Sequence, residues 1–258
     1  MRIFIMVDME GISGIFCSDQ VSPDRPEYQT GRKYLTWDTN ACIEGCFQGG
    51  ATSVIVRDAH GGGGHFIWED LDPRAQYARG TFPGQRMPGI EKCDGLILLG
   101  YHAMAGTPHA ILEHTMSSRN WQNFWLNGRL TGEIGIDAAI AGDYGVPTIM
   151  VSGDDKACRE ARNFIPGIVT VEVKKGLGCQ GGILLSKEEA HRRIIEGAKK
   201  AVSLCRQIRP FKVRKPVRMR LEKVSRGVVP EDRKGVRVID GRTYEVTGRT
   251  VEEALDAL

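Results

Sequence analysis

The sequence lacks any long apolar segment. None of its apolar runs approaches the roughly 18 consecutive apolar residues that read as a membrane-spanning helix. The first residues also lack a basic region followed by a long apolar stretch and a cleavage site, which is the pattern of a secretory signal. We therefore expect a cytoplasmic protein with no membrane partner.

Cysteine motifs are absent as well. The seven cysteines are odd in number and scattered, and no two of them have the spacing Cys-x-x-Cys. This pattern argues against a disulfide framework and against a cysteine-based zinc site. We interpret these residues as small buried apolar side chains.

The net charge of +3 is small but unevenly distributed. From Lys187 onward there are 19 Lys and Arg residues against 11 Asp and Glu residues, whereas the preceding part has 16 against 21. The basic part lacks the interleaved aromatic residues and the motifs of a nucleic-acid-binding domain, so we predict no nucleic-acid partner. We interpret it as a solvated surface or a subunit contact. The acidic part is the better place for a bound cation.

Apolar runs and helical patterns alternate in the first 163 residues. The runs are IFIMVD at 3–8, SVIVRD at 53–58, LILLGYH at 96–102 and PTIMVSGDD at 147–155. Short apolar runs closed by turn residues are typical of buried strands. Segment 31–48 has helical spacing and is followed by Gly49-Gly50, and segment 132–145 has helical spacing and ends at Gly145. The alternation predicts an α/β domain over 1–163, with a mostly parallel sheet flanked by helices.

The pattern changes in residues 164–258, which we predict to form a smaller α+β domain. The order is a strand, a helix, a strand, a hairpin at the Asp240-Gly241 turn signal, and a short final helix. Ser186, followed by acids in the next turn, is a predicted N-cap of the first of these helices.

Metal-binding side chains follow three of the predicted strands. They are Asp8 and Glu10 after the first strand, Asp58 and His60 after the second, and His102 after the third, with Glu133 at the start of the helix before the fourth. Ligands of an open parallel sheet bind outside the carboxyl ends of its strands. Two imidazoles and three carboxylates suit Zn²⁺ or a similar ion better than Ca²⁺ or Mg²⁺. A pair of ions about 3.5 to 4 Å apart, bridged by one carboxylate, would use all five ligands.

Each of these side chains also has a purely structural interpretation. Asp8 could pair with Arg57 or cap a turn, and the dipole of the helix favours Glu133 without any function. Asp58, Asp154 and Asp155 could orient ligands or cap turns, so we assign them no role.

The four glycines at 61–64 also allow two interpretations. Their backbone N–H groups could cradle a phosphate. They lack the Lys-Ser/Thr ending of a P-loop and the spaced glycines of a dinucleotide motif, so a flexible loop beside His60 is the better interpretation.

Several long motifs resemble those of the zinc-dependent D-aminopeptidase family. They are VDMEGISG at 7–14, RDAH at 57–60, LGYHAMAGTP at 99–108, HTM at 114–116 and GEIGIDAAIAGDYGVPTIMVSGDD at 132–155. The resemblance covers nearly the whole chain and is densest up to about residue 175. It implies an enzyme that releases N-terminal D-amino acids from short peptides. It also implies a homo-oligomer, a homodecamer built from fivefold units whose active sites face an inner chamber.

The resemblance also implies a ligand set. By position in the family motifs, two zinc ions would be bound by Asp8, Glu10, His60, His102 and Glu133. Asp8 would bridge the ions, and His114 would act as a catalytic residue beside them. His65 and His109 match no required position, so we interpret both as loop residues. The chain has Met6 where the family usually has a serine.

We therefore predict a dinuclear zinc aminopeptidase that acts on N-terminal D-residues. Two alternatives remain open. Because fold and metal do not determine the substrate, the chain could be a metal-dependent amidase or esterase that acts on another small amide. The family is also labelled dipeptide transport protein, so a cytoplasmic peptide-binding protein without catalysis is the other alternative.

Overall fold

The computed structural model describes all 258 residues, which form two β-sheets and five α-helices. The strands are β1 (Arg2–Val7), β2 (Ser53–Asp58), β3 (Gln76–Ala78), β4 (Gly95–Tyr101), β5 (Trp121–Leu126), β6 (Arg129–Leu130), β7 (Thr148–Asp154), β8 (Val169–Gly178), β9 (Gly181–Leu184), β10 (Val217–Lys223), β11 (Val236–Val238) and β12 (Thr243–Gly248). The helices are α1 (Tyr28–Gln48), α2 (Glu133–Asp143), α3 (Asp155–Phe164), α4 (Lys187–Leu204) and α5 (Val251–Asp256).

The larger sheet has the strand order β3-β2-β1-β4-β7-β8-β9. All its neighbouring strands are parallel except β8 and β9, which are antiparallel. Strands β4 and β7 are buried along their whole length, as continuous apolar runs predict. The prediction of an α/β fold with a mostly parallel sheet is therefore confirmed. Because the chain continues from β1 to β2 on one side and places β4 on the other, the order reverses between β1 and β4.

The helices that flank this sheet also pack against one another. Helix α1 packs against α4, and α2 packs against α3 and α5. The Ser186 hydroxyl accepts a hydrogen bond from the Glu189 N–H, so the predicted N-cap of α4 is confirmed. No helix combines the length and the apolar composition that crossing a bilayer requires.

The smaller sheet is antiparallel, with the order β11-β12-β10-β5-β6. The predicted hairpin at Asp240 is formed by β11 and β12. Strands β8 and β9 lie beyond residue 163 yet extend the parallel sheet, whereas β5 and β6 lie before it and join the antiparallel sheet. The apolar core is also continuous from β4 to β10. A division into domains at residues 163 and 164 stays a prediction.

Candidate metal centre

The candidate site lies where β1 and β4 end, at the point where the strand order reverses. Two glycines allow the chain segments to meet there. Gly100 has a φ of 71°, and a Cβ at this position would overlap the Asp8 carbonyl oxygen. A Cβ on Gly11 would overlap the Tyr101 carbonyl oxygen. Because neither glycine carries a side chain, the two backbone segments can approach closely, and Asp8 and His102 lie next to each other at the ends of β1 and β4.

Three predicted ligands form a first group at the end of β1. The ligand atoms of Asp8, Glu10 and His60 lie within 4.8 Å of one another. The Nδ1 atom of His60 is 3.0 Å from Oε2 of Glu10 and 3.4 Å from Oδ1 of Asp8. The other ring nitrogen, Nε2, is 3.0 Å from the Val21 carbonyl oxygen, to which it can donate. That contact directs Nδ1 towards the two acids.

A second group forms around the first residue of α2. The ligand atoms of His102, His114 and Glu133 also lie within 4.8 Å of one another. Oε1 of Glu133 is 3.4 Å from Nε2 of His102 and 3.7 Å from Nε2 of His114. The two imidazole rings stack with their centroids 4.0 Å apart. Their Nδ1 atoms lie 3.0 Å and 2.9 Å from the carbonyl oxygens of Ala103 and Leu112, respectively.

The Asp8 carboxylate connects the two groups. Its Oδ1 atom faces His60, and its Oδ2 atom lies 3.2 Å from Nε2 of His102. The residue is only 4% exposed, so both oxygens act within the protein interior. The structure thus brings all five sequence-predicted ligands and His114 into one site.

The site has a strongly negative potential. Burial lowers the pKa of His60, but the carboxylates of Glu10 and Asp8 outweigh it and raise that pKa to about 12. Burial likewise opposes protonation of His102, yet Asp8 and Glu133 hold its pKa well above the usual value. Burial raises the pKa of Asp8, and the two imidazoles outweigh this effect, so that its pKa lies well below the usual value. A potential that retains protons so strongly also attracts a metal cation.

The donor set fits zinc. A neutral imidazole has one N–H donor and one lone pair, and each of the three histidines can donate to a backbone carbonyl. The remaining lone pair then faces a carboxylate oxygen, which is unfavourable unless a cation or an added proton lies between them. His102 Nε2 is buried without a hydrogen-bond partner. Zinc bonds of about 2.0 to 2.2 Å at tetrahedral angles place ligand atoms roughly 3.4 Å apart, close to the N–O distances of 3.0 to 3.7 Å in the two groups.

A buried polar network holds the Glu133 carboxylate in place. Its Oε1 atom accepts a hydrogen bond of 2.7 Å from the Met116 N–H, and its Oε2 atom lies 3.7 Å from the Arg86 guanidinium. Arg86 forms two hydrogen bonds to Asp137, which also accepts one from the Tyr101 hydroxyl. Sequence reasoning missed Arg86, because it lies in a loop remote from every strand end.

Asp58 and His65 hold the backbone around His60. The Asp58 carboxylate accepts hydrogen bonds from the N–H groups of His60 and His65, and so joins the two ends of the glycine segment 61–64. His65 is buried, and its Nε2 atom lies 2.9 Å from the His60 carbonyl oxygen. Its Nδ1 atom lies 2.5 Å from the Tyr28 hydroxyl. The interpretation of His65 as a simple loop residue missed this supporting contact.

Asp154 is the N-cap of α3, and Asp155 contacts the end of β8. The Asp154 carboxylate accepts hydrogen bonds from the Ala157 N–H at the start of α3 and from the Ile111 N–H in the loop before His114. Asp155 accepts one from the Gly176 N–H. Both residues therefore stabilise the loops around the site, and neither belongs to the two candidate metal groups.

Lys174 anchors the loop that carries Glu10. Its buried ammonium donates to the carbonyl oxygens of Glu10, Ile12 and Ile15, at 2.6, 2.8 and 2.7 Å. Burial lowers the pKa of Lys174 to about 8. Strand alternation with the buried Val173 would place this lysine on the exposed side. The pairing of β7 with β8 shifts register before Lys174, and this irregularity turns its side chain inwards.

We expect the substitution Lys174→Met to destabilise the protein and weaken zinc binding. The variant removes all three N–H donors and leaves buried carbonyl groups unpaired, which should lower the free energy of unfolding by roughly 2 to 4 kcal/mol. Urea unfolding and zinc titration of the metal-free protein would measure both effects. Lys175→Met is the matched control, since Lys175 is exposed on the same strand. Equal results for the two variants would contradict the anchoring role.

A cavity of about 530 Å³ opens over the two groups. Its wall includes Asp8, Glu10, His60, His114 and Glu133. Other polar side chains, among them Ser22 and Gln180, complete the wall. This size is in the range of small-molecule sites, and it leaves room for a short peptide.

The family model described as D-aminopeptidase matches residues 1–258. The chain belongs to the D-aminopeptidase family. This membership confirms the resemblance in the sequence motifs, and with it the prediction of an enzyme of the metallopeptidase class.

Two comparisons of this D-aminopeptidase family member with known proteins lead to Bacillus subtilis. This chain is 35% identical to the D-aminopeptidase of Bacillus subtilis strain 168 over 213 residues, which are 82% of this chain and 77% of the relative. It also matches the solved structure of the Zn-dependent D-aminopeptidase DppA, described as a self-compartmentalizing protease. That match has a TM-score of 0.93 and 31% identity, and covers 100% of this chain and 95% of the other. The predicted fold is thus supported by a family member of known structure.

Proposed function

We propose that the chain is a zinc-dependent aminopeptidase that removes N-terminal D-residues from short peptides. Two zinc ions would be held by Asp8, Glu10, His60, His102 and Glu133. The observation that carries the proposal is the Asp8 carboxylate, which directs one oxygen towards His60 and the other towards His102. A carboxylate in this position can serve two ions at once.

When bound there, zinc would supply Lewis-acid polarisation of the scissile carbonyl and would lower the pKa of a bound water from 15.7 towards about 7. The protein supplies positioning and proton transfer. His114 presents Nε2 to the cavity, because its Nδ1 atom contacts the Leu112 carbonyl oxygen. From this position it shuttles a proton or donates a hydrogen bond to the developing oxyanion. The free α-amino group would be held by a metal or by an acid such as Glu10, which lies in the same wall.

The preference for D-residues is supported by the description as a D-aminopeptidase in both the sequence match and the structure match. The donor atoms themselves are the same for D- and L-peptides. The proposed D-preference therefore depends on similarity to known D-aminopeptidases, whereas the proposed peptide hydrolysis is also supported by the geometry of the candidate metal site.

The proposal is tested by amino-acid release from D-Ala-D-Ala and L-Ala-L-Ala. The purified protein is assayed with added zinc and again after chelation. We expect the D-peptide to be cleaved only with metal present, because the carbonyl is not polarised in its absence. Restoring zinc to the chelated protein should restore the rate, which separates metal loss from denaturation.

Each other outcome selects a different function. Cleavage of the L-peptide alone would retain the metal chemistry and overturn the D-preference. No cleavage of either peptide at full zinc occupancy would favour the alternative of an amidase or esterase that acts on another small substrate. Saturable peptide binding without any released amino acid would instead support the peptide-binding alternative.

The proposed assembly is a homo-oligomer, with the homodecamer as the expected form. It is supported by the description of DppA as a self-compartmentalizing protease. The edge hairpin formed by β8 and β9 carries two exposed apolar side chains, Leu177 and Ile183, which suit a subunit contact. Light scattering on the purified protein would give the mass, and a monomer would contradict the assembly.

A further inference from the structure

The wall of the cavity contains only two arginines, Arg86 and Arg119. The charge of Arg86 is already compensated, because its guanidinium forms two hydrogen bonds to the buried Asp137. Arg119 has no such compensation. Its side chain is exposed, and it has neither a carboxylate within 4.0 Å nor a hydrogen-bond partner. A free guanidinium thus lies beside a cavity whose other charged groups are mostly acids and imidazoles.

The backbone places Arg119 close to the candidate ligands. The Met116 N–H binds Oε1 of Glu133, and the Ser117 carbonyl oxygen then accepts hydrogen bonds from the N–H groups of Asn120 and Trp121. Arg119 lies within this turn. Three residues span at most about 11 Å even when fully extended, and a turn shortens that distance. The backbone of Arg119 is therefore held within roughly 11 Å of Met116, and its side chain lines the same cavity as Glu133.

We infer that Arg119 binds the C-terminal carboxylate of the substrate, so that the site selects dipeptides and tripeptides with a free C-terminus. The inference rests on the proposed aminopeptidase function. An extended dipeptide spans roughly 7 Å and a tripeptide roughly 10 Å. With the α-amino end at the acidic groups, the C-terminal carboxylate of either peptide can reach an arginine in the wall of the same cavity.

The chemistry of a guanidinium and a carboxylate favours this assignment. A guanidinium offers parallel N–H donors that match the two oxygens of a carboxylate, and such charge-assisted hydrogen bonds are stronger than neutral ones. A zwitterionic peptide would thus meet acids at one end of the cavity and an uncompensated cation at the other. Long peptides and C-terminal amides would lack the second contact.

The experiment compares release of N-terminal D-Ala from D-Ala-D-Ala and from its C-terminal amide. In the native enzyme we expect KM for the amide to be about tenfold higher than KM for the free acid. In Arg119→Met the KM for the free acid should rise about tenfold, so that the two values converge, and kcat should change much less. Arg119→Lys retains the charge without the paired donors and should lie between these limits.

Arg226→Met is the matched control, since Arg226 is an exposed arginine in the loop between β10 and β11. The inference is overturned if the native enzyme has the same KM for both peptides, or if Arg119→Met changes both KM values by the same factor. Those results would leave the aminopeptidase function intact. If the native protein cleaves neither peptide with zinc bound, the proposed function itself fails, and the inference fails with it.

Discussion

Asp8→Asn should remove most of the bound zinc and reduce kcat/KM for D-Ala-D-Ala by roughly a thousandfold. Metal polarisation contributes several kcal/mol to such reactions, and each 1.36 kcal/mol corresponds to a factor of ten. The Asp8 carboxylate faces both groups of candidate ligands, at 3.4 Å from His60 and 3.2 Å from His102. The loss of this carboxylate should therefore weaken metal binding at both groups, whereas the loss of Glu10 should weaken mainly the position beside His60.

Asparagine is a suitable replacement because it preserves the local fold. The Asp8 Oδ1 atom accepts a hydrogen bond of 2.8 Å from the Met9 N–H, and an asparagine oxygen can accept the same bond. What changes is the charge and one of the two oxygen ligands. An amide nitrogen in place of Oδ2 would donate to His102 Nε2, the atom that is otherwise buried without a partner.

The measurement is zinc content per chain after gel filtration, together with turnover. Thermal unfolding with and without zinc adds a second readout, since a ligand that binds the native state raises its stability. Asp70→Asn is the control, because Asp70 is an exposed aspartate away from the site. If Asp8→Asn kept two zinc ions and normal turnover, the dinuclear centre would not be built around Asp8.

His114→Ala should reduce kcat by roughly 10² to 10⁴ and leave most of the zinc bound. This range is typical for the loss of a general acid or base. The Nε2 atom of His114 is 3.7 Å from Glu133 Oε1, the longest of the N–O distances in the two groups. Its imidazole is 16% exposed at the cavity wall, like that of His60, whereas that of His102 is only 1% exposed. Both observations suit a residue that contacts substrate.

The same geometry allows a different outcome that the experiment can detect. His114 and His102 lie with Glu133 in one candidate metal group, so His114 could be a third ligand. In that case His114→Ala would lose zinc as well as turnover. His109→Asn is the control in the same loop, because His109 has a φ of 60° and asparagine tolerates this left-handed conformation. Full activity of His114→Ala would exclude both roles.

Much of the parallel sheet could be predicted because its signals are local. Runs such as LILLGYH are apolar, rich in strand-forming residues and closed by a turn, so they identify buried strands without knowledge of their neighbours. The position of acids and histidines after these runs then places them at one edge of the sheet. That reasoning identified Asp8, Glu10, His60, His102 and Glu133 as a set, and the structure brings them together.

Other features could not be predicted because they depend on distant partners. The β5–β6 hairpin is stabilised by pairing with β10, nearly a hundred residues later in the chain. Lys174 is turned inwards by a register irregularity between β7 and β8, which no alternation pattern reveals. Arg86 matters through its contact with Asp137, and nothing in their separate sequence contexts links the two residues.

The sequence by itself determined the chemical nature of the site: which residues end the strands, and that they offer nitrogen and oxygen donors of the kinds that zinc prefers. Only the tertiary structure decided that β1 and β4 are neighbours, that Asp8 faces both His60 and His102, and that His114 folds back to stack on His102. The physical reason is that residue type and strand propensity are local properties. Strand order and the return of loops depend on burial summed over the whole core.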